Sequence, residues 1–467
     1  MNLKPYPEYK ESGVPWLGKV PGHWEVRKFR TILYPKAERN QPNLPLLSVV
    51  REKGVIKRNV GDNDENHNVV PEDLSNCKVV RTGQFAMNKM KAWQGSYGIS
   101  KFTGIVSPAY FVFDLNNVES DFFHMAVRSK AYVPFFTQAS DGVRVGQWDL
   151  SQTRMKEIQF WIPSLQEQQK IVKFLDFKTQ QISCFIRAKK KIIELLKEQK
   201  QIIINQAVTR GLDPNVKLKP CGVEWLGEIP EHWEVLALKR VLDNMVDCEH
   251  KTAPSVAESQ YQVLRTTAVR DGSLKMEGTY YTTEEAYHEW TKRCVPRAGD
   301  IVFTREAPVG EACILPEGIN ACLGQRTVLL RTKGELYNPE FLLYMLYGGP
   351  PKHIVQLTSK GSTVGHFNVQ DIGNLILFKP PIQEQLEILK HIKTETKCLN
   401  LIIFRTEREI ALMQEYRTRL IADVVTGKVD VRDIEVPDVT EGELSMDYPE
   451  NLETIEEETA EASEEEE

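Results

Sequence analysis

The sequence predicts an α+β protein: two mixed α/β units joined by two long antiparallel coiled-coil helices, with its halves related by a pseudo-twofold internal repeat. Three observations predict it. A fourteen-residue opening is written twice, two heptad-patterned stretches have matching lengths, and the regions between them read as short strands and turns.

The opening comes first. Gly13 to Val26 reads GVPWLGKVPGHWEV and Gly222 to Val235 reads GVEWLGEIPEHWEV, with ten of fourteen positions identical at an offset of 209. Its tryptophans, Trp16, Trp24, Trp225 and Trp233, are expected as core anchors. A second repeat matches Pro163-Ser164-Leu165-Gln166-Glu167-Gln168 to Pro380-Pro381-Ile382-Gln383-Glu384-Gln385, and its offset of 217 holds to Val208-Thr209 and Val425-Thr426. A weaker match joins Ser140-Asp141-Gly142 to Ser359-Lys360-Gly361 and continues from Val145 to Asp149 against Val364 to Asn368. The regions near 27–160 and 236–378 are otherwise unlike. A retained frame around two diverged inserts suggests two recognition units with different targets; plain tandem duplication with drift is the bland alternative.

The helices follow from periodicity. Ser164 with Glu167 is a capping-box signature, and Gly211 with Pro214 is a stop. Heptad positions from 172 to 207 are apolar at eight of eleven sites, and so are the positions 217 residues later. The exceptions share register: Thr179 with Thr396, Lys189 with Thr406, Lys200 with Arg417. Each 44-residue stretch would span about 66 Å. Equal lengths favour pairing within one chain over a dimerisation coil between chains. The partition is 1–160 and 213–378 for the two units, 161–212 and 379–432 for the helices, and 433–467 for a tail.

That tail, from Asp433 on, holds 16 acidic residues and no Lys or Arg, and is expected to be disordered. The remainder has 49 acidic and 59 basic residues, a net of +10 that suits a polyanion or an ordinary solvated surface. The chain contains no run of roughly 20 apolar residues and its start lacks a signal-peptide core, so a cytoplasmic protein is expected. Its eight Cys form no C-x-x-C pair and read as reduced thiols.

In the first variable region, Leu46–Val50 and Ala109–Phe113 read as strands. Between them Met87–Gly98 interleaves cations, amides and aromatics. Lys89, Lys91, Trp93, Gln94, Ser96 and Tyr97 are the candidates for phosphate and base-edge contact. The second region offers Arg305, Glu306, Gln325 and Arg326. An Arg suits guanine, a Gln adenine, and a carboxylate cytosine. The glycine-containing segments before each helix add Arg144, Gln147, Lys360, Ser362 and His366, as loops entering a groove or as turns fixing unit to helix. Each of these residues also fits a structural or solvated role.

No catalytic or metal motif stands out. A GxxxxGK[ST] loop, a G-x-S-x-G elbow and a His/Cys cluster with metal-ligand spacing are all missing, and Gly349-Pro350-Pro351-Lys352 is a poor imitation of a methyltransferase tetrad. A stand-alone two-headed DNA-binding regulator, or a nuclease with a short carboxylate site, also fits this pattern.

The WLG-x-x-P-x-HWE openings and P-x-x-QEQ helix starts resemble the specificity (S) subunits of type I restriction–modification systems, over about residues 6–432. The resemblance implies two target-recognition domains reading a bipartite sequence in double-stranded DNA, with no catalysis by the chain itself. It implies two methyltransferase (M) subunits and restriction/translocase (R) subunits as partners. S-adenosylmethionine, ATP and Mg are then expected on those partners, and no cofactor on this chain.

Overall fold

Apolar and β-branched runs bounded by glycine and proline become strands, and the two heptad stretches become unbroken helices. The computed structural model describes residues 3–51, 53–58, 73–142, 148–222, 227–359 and 367–437. One unit runs to Lys189 and resumes at Arg408, and the other is Lys190–Glu407. The division cuts both long helices near their middles, whereas the repeat-based partition keeps each helix whole. Among the described residues no helix is long and apolar enough to cross a membrane.

In the first unit the main sheet contains β1 (Leu33–Lys36), β2 (Phe85–Met87), β3 (Tyr97–Ile99) and β4 (Phe111–Leu115), in the order β1-β4-β2-β3 with every pair antiparallel. The expected strand at Leu46–Val50 is Leu47–Val50, hairpinned to Gly54–Lys57. The one expected from Ala109 starts at Phe111. Glu25–Lys28 pairs with Gln159–Ile162, which brings the opening beside the start of the first long helix, Leu165–Arg210. The core gathers Trp24, Phe29, Phe85, Phe113, Phe122, Phe123 and Phe160 with Ile171, Phe174 and Leu175 of that helix. The end of the second long helix (Ile382–Val425) supplies Leu420, Val424 and Val425. Further along, Lys189 meets Glu409 at 2.7 Å. Residue numbers rise on one helix as they fall on the other, so the helices are antiparallel here.

The second unit repeats this plan. Its sheet contains β5 (Leu242–Asp247), β6 (Ile301–Thr304), β7 (Ala312–Ile314) and β8 (Thr327–Thr332), ordered β5-β8-β6-β7. Glu234–Ala237 pairs with Ile376–Lys379 as its counterpart does. A three-stranded sheet of Thr279–Thr282, Tyr261–Leu264 and Asn320–Leu323 is added, the last pair parallel. Ile204, Ala207 and Val208 share a core with Trp233, Phe303, Ile388, Leu389 and Ile392.

The heptad seam is buried as its period requires. None of the eleven positions in the first helix is exposed, and in the second only Arg417 is. Buried Thr396 and Thr406 donate their hydroxyls to the carbonyls of Ile392 and Ile402 at 2.7 and 2.8 Å, which satisfies polar groups in an apolar seam. The capping box forms by half: Glu167 N donates to Ser164 Oγ at 3.3 Å, while the Glu167 carboxylate is engaged elsewhere. Gly211 (φ 72°) and Gly427 (φ 77°) end the helices in the left-handed region. A β-carbon at Gly427 would strike the Pro21 ring. Beyond Gly427 the chain returns to the first unit: Asp430 N donates to Lys4 O at 2.8 Å and Val431 is buried. All eight cysteines are free thiols, and burial pushes Cys313 and Cys322 up to about 12.

Candidate nucleic-acid interface

Each opening motif is tied to the start of its neighbouring helix by one carboxylate. Glu167, buried, accepts from Tyr6 Oη at 2.8 Å and Trp24 Nε1 at 3.0 Å, and pairs with His23 Nε2 at 2.8 Å. Burial, with Glu167 alongside, pushes the Tyr6 phenol far above its usual range. Glu384 does the same for Trp233 Nε1 (3.1 Å) and His232 Nε2 (2.8 Å), with no third donor among the described residues. The next residue ties in a short helix. Gln168 Oε1 accepts from Glu119 N, the cap of Ser120–Arg128, at 2.8 Å. Gln385 Oε1 accepts from Asn338 N, the cap of Pro339–Gly348, at 2.9 Å. Trp24 and Trp233 are therefore core anchors. Trp16 is not: it is partly exposed, edge-on to Phe135 with Nε1 donating to Ala131 O, because its strand turn lies at the rim of the core. Trp225 lies outside the described residues.

The frame holds up a hairpin tip. In the first unit it is the β2–β3 loop, packed on the segment before the helix. Leu150 N donates to Lys89 O at 3.0 Å, Lys89 Nζ meets Asp149 at 2.8 Å, and Trp93 lies against Trp148 with centroids 5.3 Å apart. Lys91 is exposed, and Gln94 and Trp93 are half-buried. Ser96 and Tyr97 are corrections to the candidate set. Ser96 is buried, its carbonyl accepting from Asn88 N. Tyr97 is fully buried with Oη donating to Val127 O at 3.0 Å, and burial pushes its phenol far up. Neither offers surface to a ligand.

In the second unit an alternating chain of charge runs from the end of β5 through the matching β6–β7 loop to the residue before β8. Arg305 Nη1 lies 3.1 and 3.0 Å from the two Asp247 oxygens, and Asp247 also meets His250 at 3.2 Å. Arg305 Nη2 is 3.7 Å from Glu306, whose other oxygen is 3.1 Å from Arg326 Nε. Arg305 N donates to Arg326 O, and Phe367 N to Arg305 O. Arg305 is a further correction: its guanidinium is about nine-tenths buried and occupied by Asp247, so it supports the tip instead of reading a base. Gln325 and Arg326 are exposed.

Arg144, Gln147, Lys360, Ser362 and His366 lie outside the described residues, as does the tail beyond 437. Sequence reading passed over Asp149, Trp148 and Asp247. The first two sit inside the third repeat match, where the sequence shows only likeness between the halves. Asp247 ends β5, 58 residues from its arginine, and only cross-strand pairing brings the two together.

A family model described as the type I restriction modification DNA specificity domain matches residues 39–198 and 230–411. A Methanocaldococcus jannaschii protein assigned as the MjaX type I restriction enzyme specificity subunit is 24% identical over 291 residues, 62% of this chain. The chain spans 63% of that relative's length. The MjaVIII type I restriction enzyme specificity subunit of the same organism is 24% identical over 351 residues, 73% of this chain and 79% of that protein. A solved structure, described as concerning complex assembly and conformational transition of the type I R-M system, shares the fold with a TM-score of 0.56 at 15% identity. It covers 87% of this chain and 98% of its own.

Proposed function

The chain belongs to the type I restriction modification DNA specificity family, and from that premise we propose that its two units read the two halves of a bipartite duplex target. In this reading the chain performs no chemistry in the cytoplasm where it works. It directs adenine methylation and restriction by two methyltransferase subunits and by translocase/nuclease subunits, which bring S-adenosylmethionine, ATP and Mg.

The observation that carries the reading is a common frame with unlike tips. Both units hold a four-stranded sheet of one order, and at the same corner of it the first presents Lys91 and Trp93 from the β2–β3 loop, whereas the second presents Arg326, which directly precedes β8 beside the β6–β7 loop. One short half-site, at roughly 1–3 kcal/mol per base pair, discriminates weakly against a genome. Two linked readers multiply their preferences through effective concentration. Partner docking is supported by apolar side chains left facing solvent on the first helix of the second unit: Ile192, Leu195 and Ile202.

The test is single-molecule mapping of methylated adenines in a host expressing this chain with its methyltransferase. A split motif, lost when the chain is omitted, is expected. A contiguous motif, or methylation that persists without the chain, rejects the reading.

A further inference from the structure

The charge chain at the second tip runs from a buried end to an exposed one: Asp247, Arg305, Glu306, Arg326. We propose that Arg326 is the specificity-determining residue of this tip. It reads the major-groove edge of a guanine through its two terminal nitrogens, with Glu306 as its positioning residue. This rests on the DNA-reading function proposed above.

Arg326 is held at both backbone and side chain. Its φ of 71° is a left-handed conformation that non-glycine residues keep only where surroundings impose it. Here its carbonyl accepts from Arg305 N at 2.9 Å. Glu306 holds Nε at 3.1 Å, and the side chain is 53% exposed. Among the described residues Nη1 and Nη2 have no partner. With the Glu306 carboxylate on the Nε side of the guanidinium, its far end is the end-on fork that matches guanine O6 and N7. A carboxylate beside the arginine weakens its attraction to phosphate but fixes its direction. Direction matters for a base edge and little for a phosphate. Arg305, clamped by Asp247, keeps Glu306 next to a second cation and so lowers the repulsion between this carboxylate and a polyanion.

The first unit supplies the contrast. Met87 pairs with Phe111 and Tyr97, and Phe303 pairs with Val328 and Ala312. The registers therefore equate Lys89 with Arg305 and Ala109 with Arg326. Lys89, like Arg305, has its carbonyl bonded to the segment before the helix and its charge met by an aspartate. Ala109 is exposed and has no side-chain donor. The support is kept and the reader is changed, as two units with different half-sites require.

The test uses the full chain copurified with its methyltransferase, carrying Arg326→Gln, Arg326→Lys or Glu306→Gln. Methylated motifs are mapped, and binding is competed with duplexes altered at each base pair of the mapped target, over a range of salt. Arg326→Gln is expected to lose about 5- to 150-fold preference for one G·C pair in one half-site, with the other half-site intact. Arg326→Lys should keep part of that preference. Glu306→Gln should lower the preference at that same pair about 3- to 10-fold without changing the salt slope, a localised effect that a merely structural role would not produce. Unchanged preferences overturn the proposal. So does a uniform loss across sequences with a salt slope reduced by about one, which marks a phosphate contact. A wild-type complex without any split motif rejects the underlying reading as well, and is told apart by needing no variant.

Discussion

Glu167 and Glu384 occupy matching places, yet they do unequal work. Glu167 is buried under three partners, Tyr6, His23 and Trp24, and Glu384 meets two and is partly exposed. Removing a buried acceptor leaves its donors unpaired, at about 1–3 kcal/mol for each buried group. Glu167→Ala is therefore expected to destabilise the first unit by about 2–4 kcal/mol, and Glu384→Ala to destabilise the second by less. Hydrogen exchange followed by mass spectrometry, with peptides assigned to each unit, measures the two losses separately. Equal losses would mean that the Tyr6 bond contributes nothing. The HWE and QEQ motifs were legible as repeats because identity survives in them, but their purpose, a tryptophan and a histidine sharing one glutamate, needs the fold. The tip residues were harder to read. Lys91 and Arg326 do face solvent, but Tyr97 and Arg305 were picked for chemistry that burial turns inward. Composition names what a side chain can bond, and only packing decides what it does bond.

At the level of elements, the long helices were legible to within a residue or two because a seven-residue period persists for over forty residues. The sheets were not. Their strands are three to six residues long, their partners lie far apart in sequence, and the variable regions share wording only in the short match that precedes each helix, so the common strand order emerges only from pairing. The helices also carry a length that can be tested. Removing residues 186–192 and 403–409 takes one heptad from each and leaves the seam in phase. Each helix then shortens by about 10 Å at 1.5 Å per residue, or at most about three base pairs at 3.4 Å each. Under the proposed function both units must still face their grooves, and bending the duplex absorbs part of the mismatch at a cost of order 1–6 kcal/mol. The expected motif keeps both half-sites and has a spacer shorter by one to three base pairs, as read from methylation mapping. A spacer of unchanged length at full activity would show that the helices do not set it.

At the scale of the whole chain, the two joints between helix and opening differ in one respect. In the second unit the stretch after the first helix runs unbroken from Gly211 to the strand Leu218–Pro220. In the first unit the same place is filled by two separate stretches, one around Asp430 and one around Lys4, which are joined by a backbone bond. Moving the break should therefore cost little, since cuts and joins are tolerated where backbone is exposed and ends lie close. A permuted protein that starts at Asp213 and ends at Leu212, with residues 437 and 3 joined by a short glycine-serine linker, is expected to fold and to give the parental motif with the same methyltransferase. Failure of that protein to form a soluble complex would show that the Lys4–Asp430 contact is incidental to the architecture.

The bond between Lys4 and Asp430 also bears on ancestry. A gene half this long, encoding one opening, one variable region and one helix, already specifies both sides of every joint. In a second copy of its product the end of the helix would find an opening to meet, as Leu420, Val424 and Asp430 meet the opening of the first unit here. Duplication and fusion then require no new contact. They free each variable region to mutate alone, so that under the proposed function the descendant acquires an asymmetric target that no pair of identical halves reads.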